Sequence, residues 1–251
     1  MTHPQLYSSL DVEIPLGKQP NTAPDAEEFI HLVSHDLRGS IRALLELPEW
    51  IAEDIEESGL EVSPSVHSSI TLMKRHTQRL DRMLFDLLQY SRAGKMANIQ
   101  EVSLQEKFDA VVKEIGPSSG FRIDHDFGCG SFLIDEADLH TLFSALIGNA
   151  IKHHDKFSGR VEVAAWREGS ALMLTVSDDG PGIHPRFHER VFKPMTTLRS
   201  RDEVEGSGLG LALVRKIAGN YNGHARLIST GAERGALVEV RLEGGNIGSA
   251  T

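Results

Sequence analysis

Apolar residues recur at alternating steps of four and three in two stretches near the start of the chain. In the first stretch they are Val33, Leu37, Ile41, Leu44, Pro48, Ile51 and Ile55, and in the second Val66, Ile70, Met73, Thr77, Leu80, Leu84, Leu87 and Ser91. This spacing places each set along one seam of an α-helix. The sequence therefore predicts two long helices joined by a short loop as an antiparallel hairpin. Such a hairpin buries little by itself, so we expect it to pair with a second copy in a four-helix bundle.

Local signals set the ends of the two helices. Asp25 is a plausible N-cap of the first helix, which we expect to end at Gly59. Ser63 followed by Pro64 is the arrangement preferred at a helix start, an N-cap and then a proline in the first turn. Pro48 interrupts the first helix, where a bend is expected because proline removes one intrahelical hydrogen bond.

The pattern changes after about residue 100, where short alternating strands mix with helices. A strand followed by a helix is predicted in "EVSLQEKFDAVVKEI". Further strands are predicted in "FRIDHDF", "SFLID", "RVEVAAWREG", "ALMLTVSDDG", "ARLISTG" and "ALVEVRLE", and further helices in "EADLHTLFSALIGNAIKHH" and "LALVRKIAGN". This order predicts an α+β sandwich, with one sheet and its helices on a single face. The expected organisation is an arm at 1–24, the helical hairpin at 25–94, the α+β domain at 101–245 and a tail at 246–251.

Composition excludes several classes of protein. The 251 residues carry a formal charge of -10, which argues against nucleic-acid or anionic-membrane binding through general electrostatics. The single cysteine, Cys129, excludes an intramolecular disulfide and has no metal-ligand spacing around it, so a small, buried or half-buried role is expected. No apolar run approaches the roughly 20 residues of a membrane helix and no signal peptide is recognisable, so the expected location is cytoplasmic.

Two stretches of the second half carry polar residues suited to a nucleotide. In "LIGNAIKHHD", Asn149 offers an oxygen to a hard cation such as Mg²⁺ and Lys152 can neutralise phosphate, although polar residues at a helix end often only face water. In "SDDGPGI", Asp178 ends a strand, and Gly180 and Gly182 allow the sharp turn that brings a carboxylate against a ligand. Asp-Gly turns are common, so this second stretch alone is a weak signal.

The strongest signal is "EGSGLGLAL", in which Gly206, Ser207, Gly208, Leu209 and Gly210 lead directly into an apolar helix. Glycines at a helix N-terminus let backbone N–H groups approach an anion, without any need for net positive charge. The alternative is a flexible glycine loop without a ligand. The segment "VFKPMTTLRSRDEVEGS" before it is polar and aperiodic, as expected of a lid, and Arg199 and Arg201 could reach phosphate from it.

In order and spacing these segments resemble the N, G1, F and G2 boxes of sensor histidine kinases, whose ATP-binding domain is similar to those of DNA gyrase and mismatch-repair ATPases. "SHDLR" resembles their H box, and its wording is most similar to the phytochrome-like branch. The resemblance covers about residues 25–245. It implies a Bergerat-type ATP-binding domain and a homodimer that uses ATP and Mg²⁺.

The resemblance also assigns roles by position. It implies that Asn149 holds Mg²⁺, Lys152 contacts phosphate and His153 borders the nucleotide. Asp178 would accept a hydrogen bond from the adenine amino group. Gly180 and Gly182 would shape the adenine pocket, and the glycine loop would close on the phosphates. His154 receives no role and is expected to be a solvated histidine at a helix end.

His35 in "SHDLR" lies two residues before the seam position Leu37, about 200° round the helix, so we expect it to face solvent. A lone histidine on a helix is usually structural. Here Asp36 is beside it and can orient the ring and raise its basicity. The hypothesis is ATP-dependent phosphorylation of His35, followed by transfer to an aspartate of a separate response regulator.

Two positions depart from the family pattern. Gly39 stands where the H box usually has Thr or Asn, which weakens the case for phosphatase activity, and Ala145 replaces a polar residue one turn before Asn149. Input is expected in trans, from a separate soluble sensor protein, or through the arm at 1–24. Two alternatives stay open: a conformational ATPase that is indifferent to His35, and a pseudokinase scaffold that binds a regulator without nucleotide.

Overall fold

A computed structural model of the chain describes residues 26–96, 98–116, 120–200, 203–204, 206–228 and 234–243. The predicted arm at 1–24, the Asp25 cap, Arg201 and the tail at 246–251 lie outside these residues. Within the described ranges, no helix is both long enough and apolar enough to cross a membrane.

Two helices form the predicted hairpin, α1 (Ala26–Ser58) and α2 (Pro64–Arg92). Gly59 follows α1 with a φ of +63°, a conformation that favours glycine and ends the helix where the sequence predicts. Ser63 and Pro64 occupy the predicted N-cap and first-turn positions. The Ser63 hydroxyl nevertheless makes no capping bond, because it pairs with the Ser65 hydroxyl at 2.7 Å. Pro48 lies inside α1, which continues beyond it for another ten residues.

The two positions of each heptad have different surroundings in the hairpin. One set packs between the helices, with Ile41 4%, Ile70 7% and Leu84 7% exposed and with Pro48 and Ser91 also buried. The other set is open to solvent: Leu37, Leu44, Ile51, Val66, Met73 and Leu80 are each more than a third exposed. Lys74 Nζ donates to Glu49 Oε2 at 2.6 Å and marks the register of the antiparallel pair.

The second domain contains seven strands and three helices in the described residues. They are β1 (Ile99–Ser103), α3 (Leu104–Ile115), β2 (Phe121–Phe127), β3 (Ser131–Asp135), α4 (Glu136–Lys152), β4 (Gly159–Glu168), β5 (Ala171–Asp178), α5 (Gly210–Asn220), β6 (His224–Leu227) and β7 (Leu237–Glu243). The main sheet has the order β2-β4-β5-β7-β6, in which β2 and β4 are parallel and the other pairs antiparallel.

The prediction of a single sheet is wrong, because β1 and β3 form a separate antiparallel pair. Each of these strands turns directly into a helix. The Ser103 hydroxyl accepts from the Glu106 N–H at the start of α3, and the Asp135 carboxylate accepts from the Ala137 N–H at the start of α4. The β1-β3 pair therefore lies at the beginnings of α3 and α4 and is not part of the main sheet.

The predicted placement of the helices on one face of the sheet is confirmed by the burial pattern. Along β4, Val161, Val163 and Ala165 are buried, whereas Arg160 and Glu162 are exposed. The buried strand residues form one core with the apolar faces of α3, α4 and α5. Burying a leucine or isoleucine side chain contributes about 1.5–3 kcal/mol, so this core fixes the loops that follow α4 and β5.

Candidate nucleotide-binding site

A cavity of about 280 Å³ opens between α4, the turn after β5 and the segment before α5. Its floor is apolar, formed by Leu146, Val176, Val191 and Val238 among others, and its rim is polar. Ten of the twelve nucleotide-binding residues predicted from sequence line it: Asn149, Lys152, His153, Asp178, Gly182, Arg199, Gly206, Ser207, Gly208 and Gly210. The other two, Gly180 and Leu209, do not line the cavity.

Leu209 is 1% exposed, so its side chain packs in the interior, and its predicted contact with nucleotide stays a prediction. Gly180 is also buried, behind the carboxylate of Asp178: its N–H donates to Asp178 Oδ1 at 2.8 Å. Both residues therefore support the wall of the cavity from outside.

The last turn of α4 supplies two polar side chains. Asn149 faces Gly210, since a Cβ atom built on that glycine would lie 3.3 Å from Asn149 Nδ2. The Lys152 ammonium lies directly against Gly206, where a Cβ atom would collide with Nζ. Because neither glycine has a side chain, the polar groups of α4 can approach the glycine loop closely. The predicted cation ligand, Asn149, and the predicted phosphate contact, Lys152, therefore both lie beside this loop.

His153 follows at the C-cap of α4. Its surroundings lower its pKa from 6.5 to about 4, first because partial desolvation disfavours the charged ring and then because Lys152 and Arg199 are positive. The ring is therefore neutral near pH 7, so it can donate one hydrogen bond and accept another.

Asp178 stands at the end of β5, as predicted. Its Oδ1 accepts from the N–H groups of Gly180 at 2.8 Å and Ala236 at 3.4 Å. Burial raises the pKa of this carboxyl, and the two N–H donors oppose the rise. A half-buried carboxyl held by backbone donors has a fixed direction, which suits the recognition of one polar edge of a base.

The glycine loop ends at the start of α5. Gly208 has a φ of +77°, and a Cβ atom there would lie 2.7 Å from the Thr196 carbonyl oxygen, so this position requires glycine. The Ser207 hydroxyl, in a residue 7% exposed, accepts from the Leu209 N–H at 3.2 Å. The N-terminus of α5 therefore faces the cavity and favours an anion there.

His35 and Asp36 lie within α1, and their side chains are outside the described part of the chain. The structure does bring Asp86 of α2 to the cavity wall. Sequence reasoning missed this residue, because a lone aspartate on the polar flank of a heptad helix gives no signal.

His154 contradicts its prediction as a solvated residue, since its side chain is only 1% exposed. The chain after α4 folds back over it. The Lys156 N–H donates to His154 Nδ1 at 3.0 Å, and His154 Nε2 lies 3.0 Å from Asp179 Oδ1. Cys129 is half-buried, as expected, and burial raises the pKa of its thiol.

The donor set suits Mg²⁺ held together with a nucleotide. Among the described residues, no three His, Cys, Asp or Glu side chains cluster as an all-protein metal site. Mg²⁺ usually takes one or two protein oxygens and completes its shell with phosphates and water. Asn149 is placed to supply such an oxygen.

Comparison with known proteins agrees with this geometry. Residues 134–245 match the family described as histidine kinase-, DNA gyrase B- and HSP90-like ATPase. The chain is 27% identical to the phytochrome-like protein Cph1 of Synechocystis sp., across 83% of this chain and 28% of that protein. It is also 27% identical to the signal transduction histidine-protein kinase AfsQ2 of Streptomyces coelicolor, across 86% of this chain and 42% of that protein.

Among solved structures, full-length ShkA in complex with AMPPNP superposes with a TM-score of 0.66 at 21% identity, across 86% of this chain and 45% of that one. The chain thus spans less than half the length of each of these three proteins. Residues 134–245 thus match a histidine kinase-, DNA gyrase B- and HSP90-like ATPase domain, and most of the chain is similar in sequence to sensor histidine kinases.

Proposed function

We propose that this chain is an ATP-dependent histidine autokinase, which phosphorylates His35 and passes the phosphoryl group to an aspartate of a separate response regulator. One observation carries the proposal. The cavity that holds Asn149, Asp178 and the glycine loop is also lined by Asp86, which belongs to the helix paired with the His35 helix. The phosphate-binding region therefore opens toward the hairpin and not toward bulk solvent alone.

The register of the hairpin supports this relation. The ion pair between Glu49 and Lys74 joins α1 to α2. The open end of the hairpin is the end away from the loop that joins the helices. Fourteen residues from the ion pair toward that end, α1 reaches His35 and α2 reaches Leu88, two residues after Asp86. Both helices rise by about 1.5 Å per residue, so His35 and Asp86 lie at similar heights along the bundle.

The transfer needs little covalent chemistry from the ATP-binding domain. A neutral imidazole nitrogen of His35 attacks the γ-phosphorus in line, the bond from that phosphorus to the β,γ-bridging oxygen breaks, and ADP leaves with the electron pair. The phosphorylated ring then loses its second nitrogen proton. Asp36, next in sequence, is the candidate to accept that proton and to orient the ring.

Residues of the cavity would hold the nucleotide for this step. Lys152 and the N-terminus of α5 favour the phosphates, and Asp178 accepts from the adenine amino group. Mg²⁺, when bound through Asn149 and the phosphates, would neutralise charge on the transferred group. Arg199 reaches the same space from the segment before the glycine loop.

The exposed heptad positions support a homodimer. Leu37, Leu44 and Ile51 of α1 and Met73 and Leu80 of α2 are 39–46% exposed, although they continue the seam whose other half is buried. A second hairpin placed on this face would complete a four-helix bundle. The dimer would also present His35 on the outside of the bundle, where the receiver domain of a response regulator can dock.

The two alternatives make different predictions. A conformational ATPase would release phosphate steadily and would not depend on His35. A pseudokinase scaffold would not bind nucleotide, and the arrangement of Asp178, Asn149 and the glycine loop argues against it. Gly39 in the H box weakens the case for phosphatase activity by the mechanism usual in the family, and a separate sensor protein stays our expectation for the input.

The deciding experiment is incubation with γ-labelled ATP and Mg²⁺, with His35→Gln and Asp178→Asn alongside the unmodified chain. We expect acid-labile, base-stable label on the unmodified chain. Label should be absent from His35→Gln, which still binds ATP, and from Asp178→Asn, which does not. Undiminished phosphate release by His35→Gln would instead favour the ATPase, and no nucleotide binding by the unmodified chain would favour the scaffold.

A further inference from the structure

The buried histidine behind the adenine wall belongs to no role assigned above. His154 lies between two glycines. A Cβ atom built on Gly159 would lie 2.7 Å from His154 Nε2, and one built on Gly180 would lie 3.1 Å from His154 Cδ2. Phe121 closes the third side, with its ring perpendicular to the imidazole and 5.1 Å from it between centroids. Because this slot fits the ring closely, the orientation of the imidazole is fixed.

A hydrogen bond also fixes a proton on the ring. The Asp179 carboxylate can only accept, so Nε2, at 3.0 Å from Asp179 Oδ1, carries a proton and donates it. Nδ1 lies 3.0 Å from the Lys156 nitrogen and 3.2 Å from the Lys156 carbonyl oxygen. A ring without a proton on Nε2 would set an unprotonated nitrogen against a carboxylate.

Asp179 connects the fixed His154 ring to Asp178, the proposed acceptor for the adenine amino group. Its Oδ1 also accepts from the Arg160 N–H at 2.7 Å, and these two donors lower the pKa of its carboxyl. The next residue, Gly180, donates its N–H to Asp178 Oδ1, so Asp178, Asp179 and Gly180 form one small turn. Arg234 holds the turn from outside, with Nη2 at 3.2 Å from the Asp179 carbonyl oxygen and 2.7 Å from Asp155 Oδ1.

We propose that His154 is a positioning residue for base selection: by donating Nε2–H to Asp179 it sets the direction of the Asp178 carboxylate, and so determines how strongly the site prefers adenine to guanine. The inference rests on the proposed function, because it takes Asp178 as the acceptor for the adenine amino group. Guanine presents a carbonyl oxygen at the same place, which a correctly directed carboxylate repels. A carboxylate that turns away loses both the attraction to adenine and the repulsion of guanine.

The chain offers a matched pair of substitutions. In His154→Gln the side-chain amide can place an N–H near the Nε2 position and keep the bond to Asp179. In His154→Asn the shorter amide reaches only the Nδ1 position, so it keeps the contact with Lys156 and loses Asp179. His140→Asn is the control, since His140 is a more exposed histidine, in α4, paired with Glu114 at 2.8 Å.

The measurement is the affinity for ATP and for GTP by calorimetry, together with the unfolding temperature of each variant. We expect His154→Asn to reduce the ratio of ATP to GTP affinity about tenfold, the effect of one lost hydrogen bond. We expect His154→Gln to keep this ratio within about twofold and His140→Asn to leave it unchanged. A purely structural histidine would lower the unfolding temperature and leave the ratio as it is, and that outcome overturns the inference.

A second pair of substitutions, at Asp179, tests the inference even if the His154 variants do not fold. Asp179→Ala deletes the acceptor for both His154 and Arg160 and should reproduce the loss of selectivity. Asp179→Asn retains an acceptor oxygen and should retain selectivity. Equal ratios in these two variants overturn the inference even if His154→Asn does not fold. An unmodified chain that binds neither nucleotide overturns the proposed function as well, so the two failures are distinguishable.

Discussion

The backbone N–H of Gly94 donates to Asp138 Oδ1 at 2.8 Å, and this bond joins the chain leaving α2 to the first turn of α4. Asn220, at the end of α5, donates from Nδ2 to the Gly94 carbonyl oxygen at 2.6 Å. Lys216 of α5 donates to the Tyr90 carbonyl oxygen at 2.6 Å. The end of the hairpin is therefore hydrogen-bonded to α4 and to α5, the two helices beside the nucleotide cavity.

Gly94→Ala should weaken this connection. Gly94 has a φ of +75°, and a Cβ atom there would collide with the Asn220 amide. We expect the free energy of unfolding, measured with urea, to fall by about 2–4 kcal/mol, the sum of backbone strain and overpacking. Gly59→Ala is the control: its φ is +63° but nothing lies within 4 Å of its added Cβ, so only about 1–2 kcal/mol of strain is expected. Equal losses in the two variants would show that the contact with Asn220 does not matter.

Tyr221→Phe tests the polar centre of the same connection. The phenol oxygen accepts from the Asp135 N–H at 2.9 Å and donates to Asp138 Oδ2 at 3.1 Å, and the residue is 1% exposed. Removing it leaves a buried N–H without its acceptor, so we expect a loss of about 1–3 kcal/mol in the free energy of unfolding. Tyr90→Phe keeps the ring 4.8 Å from Lys216 Nζ and should change the stability by less than about 0.5 kcal/mol. A loss as large as that of Tyr221→Phe in this control would contradict the assignment.

Two glycines of the same motif should respond differently to alanine. At Gly208 a Cβ atom would lie 2.7 Å from the backbone oxygen and 2.8 Å from the backbone nitrogen of Thr196, so Gly208→Ala should lower both stability and ATP affinity. At Gly206 the added atom meets only the flexible Lys152 ammonium. Gly206→Ala should therefore reduce ATP affinity, about tenfold if one charge-assisted phosphate contact is lost. Thermal unfolding of Gly206→Ala should stay unchanged, and a large shift there would mean that the loop is more rigid than its contacts indicate.

The titration of His153 gives a pH test. Because the pKa is lowered from 6.5 to about 4, the folded state favours the neutral ring. The stability that this group contributes is complete above pH 6.5 and is lost as the pH falls toward 4. NMR titration of the ring should give a midpoint near 4, and Lys152→Met should raise it by removing a positive neighbour.

Bound ATP should raise the same midpoint, because its phosphates offset the charges of Lys152 and Arg199. A midpoint for His153 that stays near 4 in the presence of saturating ATP would place the phosphates elsewhere. The side chain remains partly exposed, so screening limits the effect on the overall stability.

Much of this structure could be predicted from periodicity and spacing. The two heptad stretches, the strand segments and Asp178 at the end of its strand all have local signals, and the structure confirms them. The separate β1-β3 pair had none, because pairing partners are chosen by where the flanking helices pack. Asp86 and His154 were missed or misjudged for the same reason: residues far apart in sequence surround them, including Asp179 and Phe121 for His154.

The strand order of the main sheet has a consequence for synthesis of the protein. β7 lies between β5 and β6 and bonds to both, although β6 precedes it in the chain. Until Leu237–Glu243 has left the ribosome, β5 has an open edge and β6 has no neighbour. The Asp178 carboxylate also lacks its Ala236 donor until then. The nucleotide site can thus be completed only when nearly all of the described chain has been made, so a nascent or prematurely ended chain has no means of binding ATP in this way.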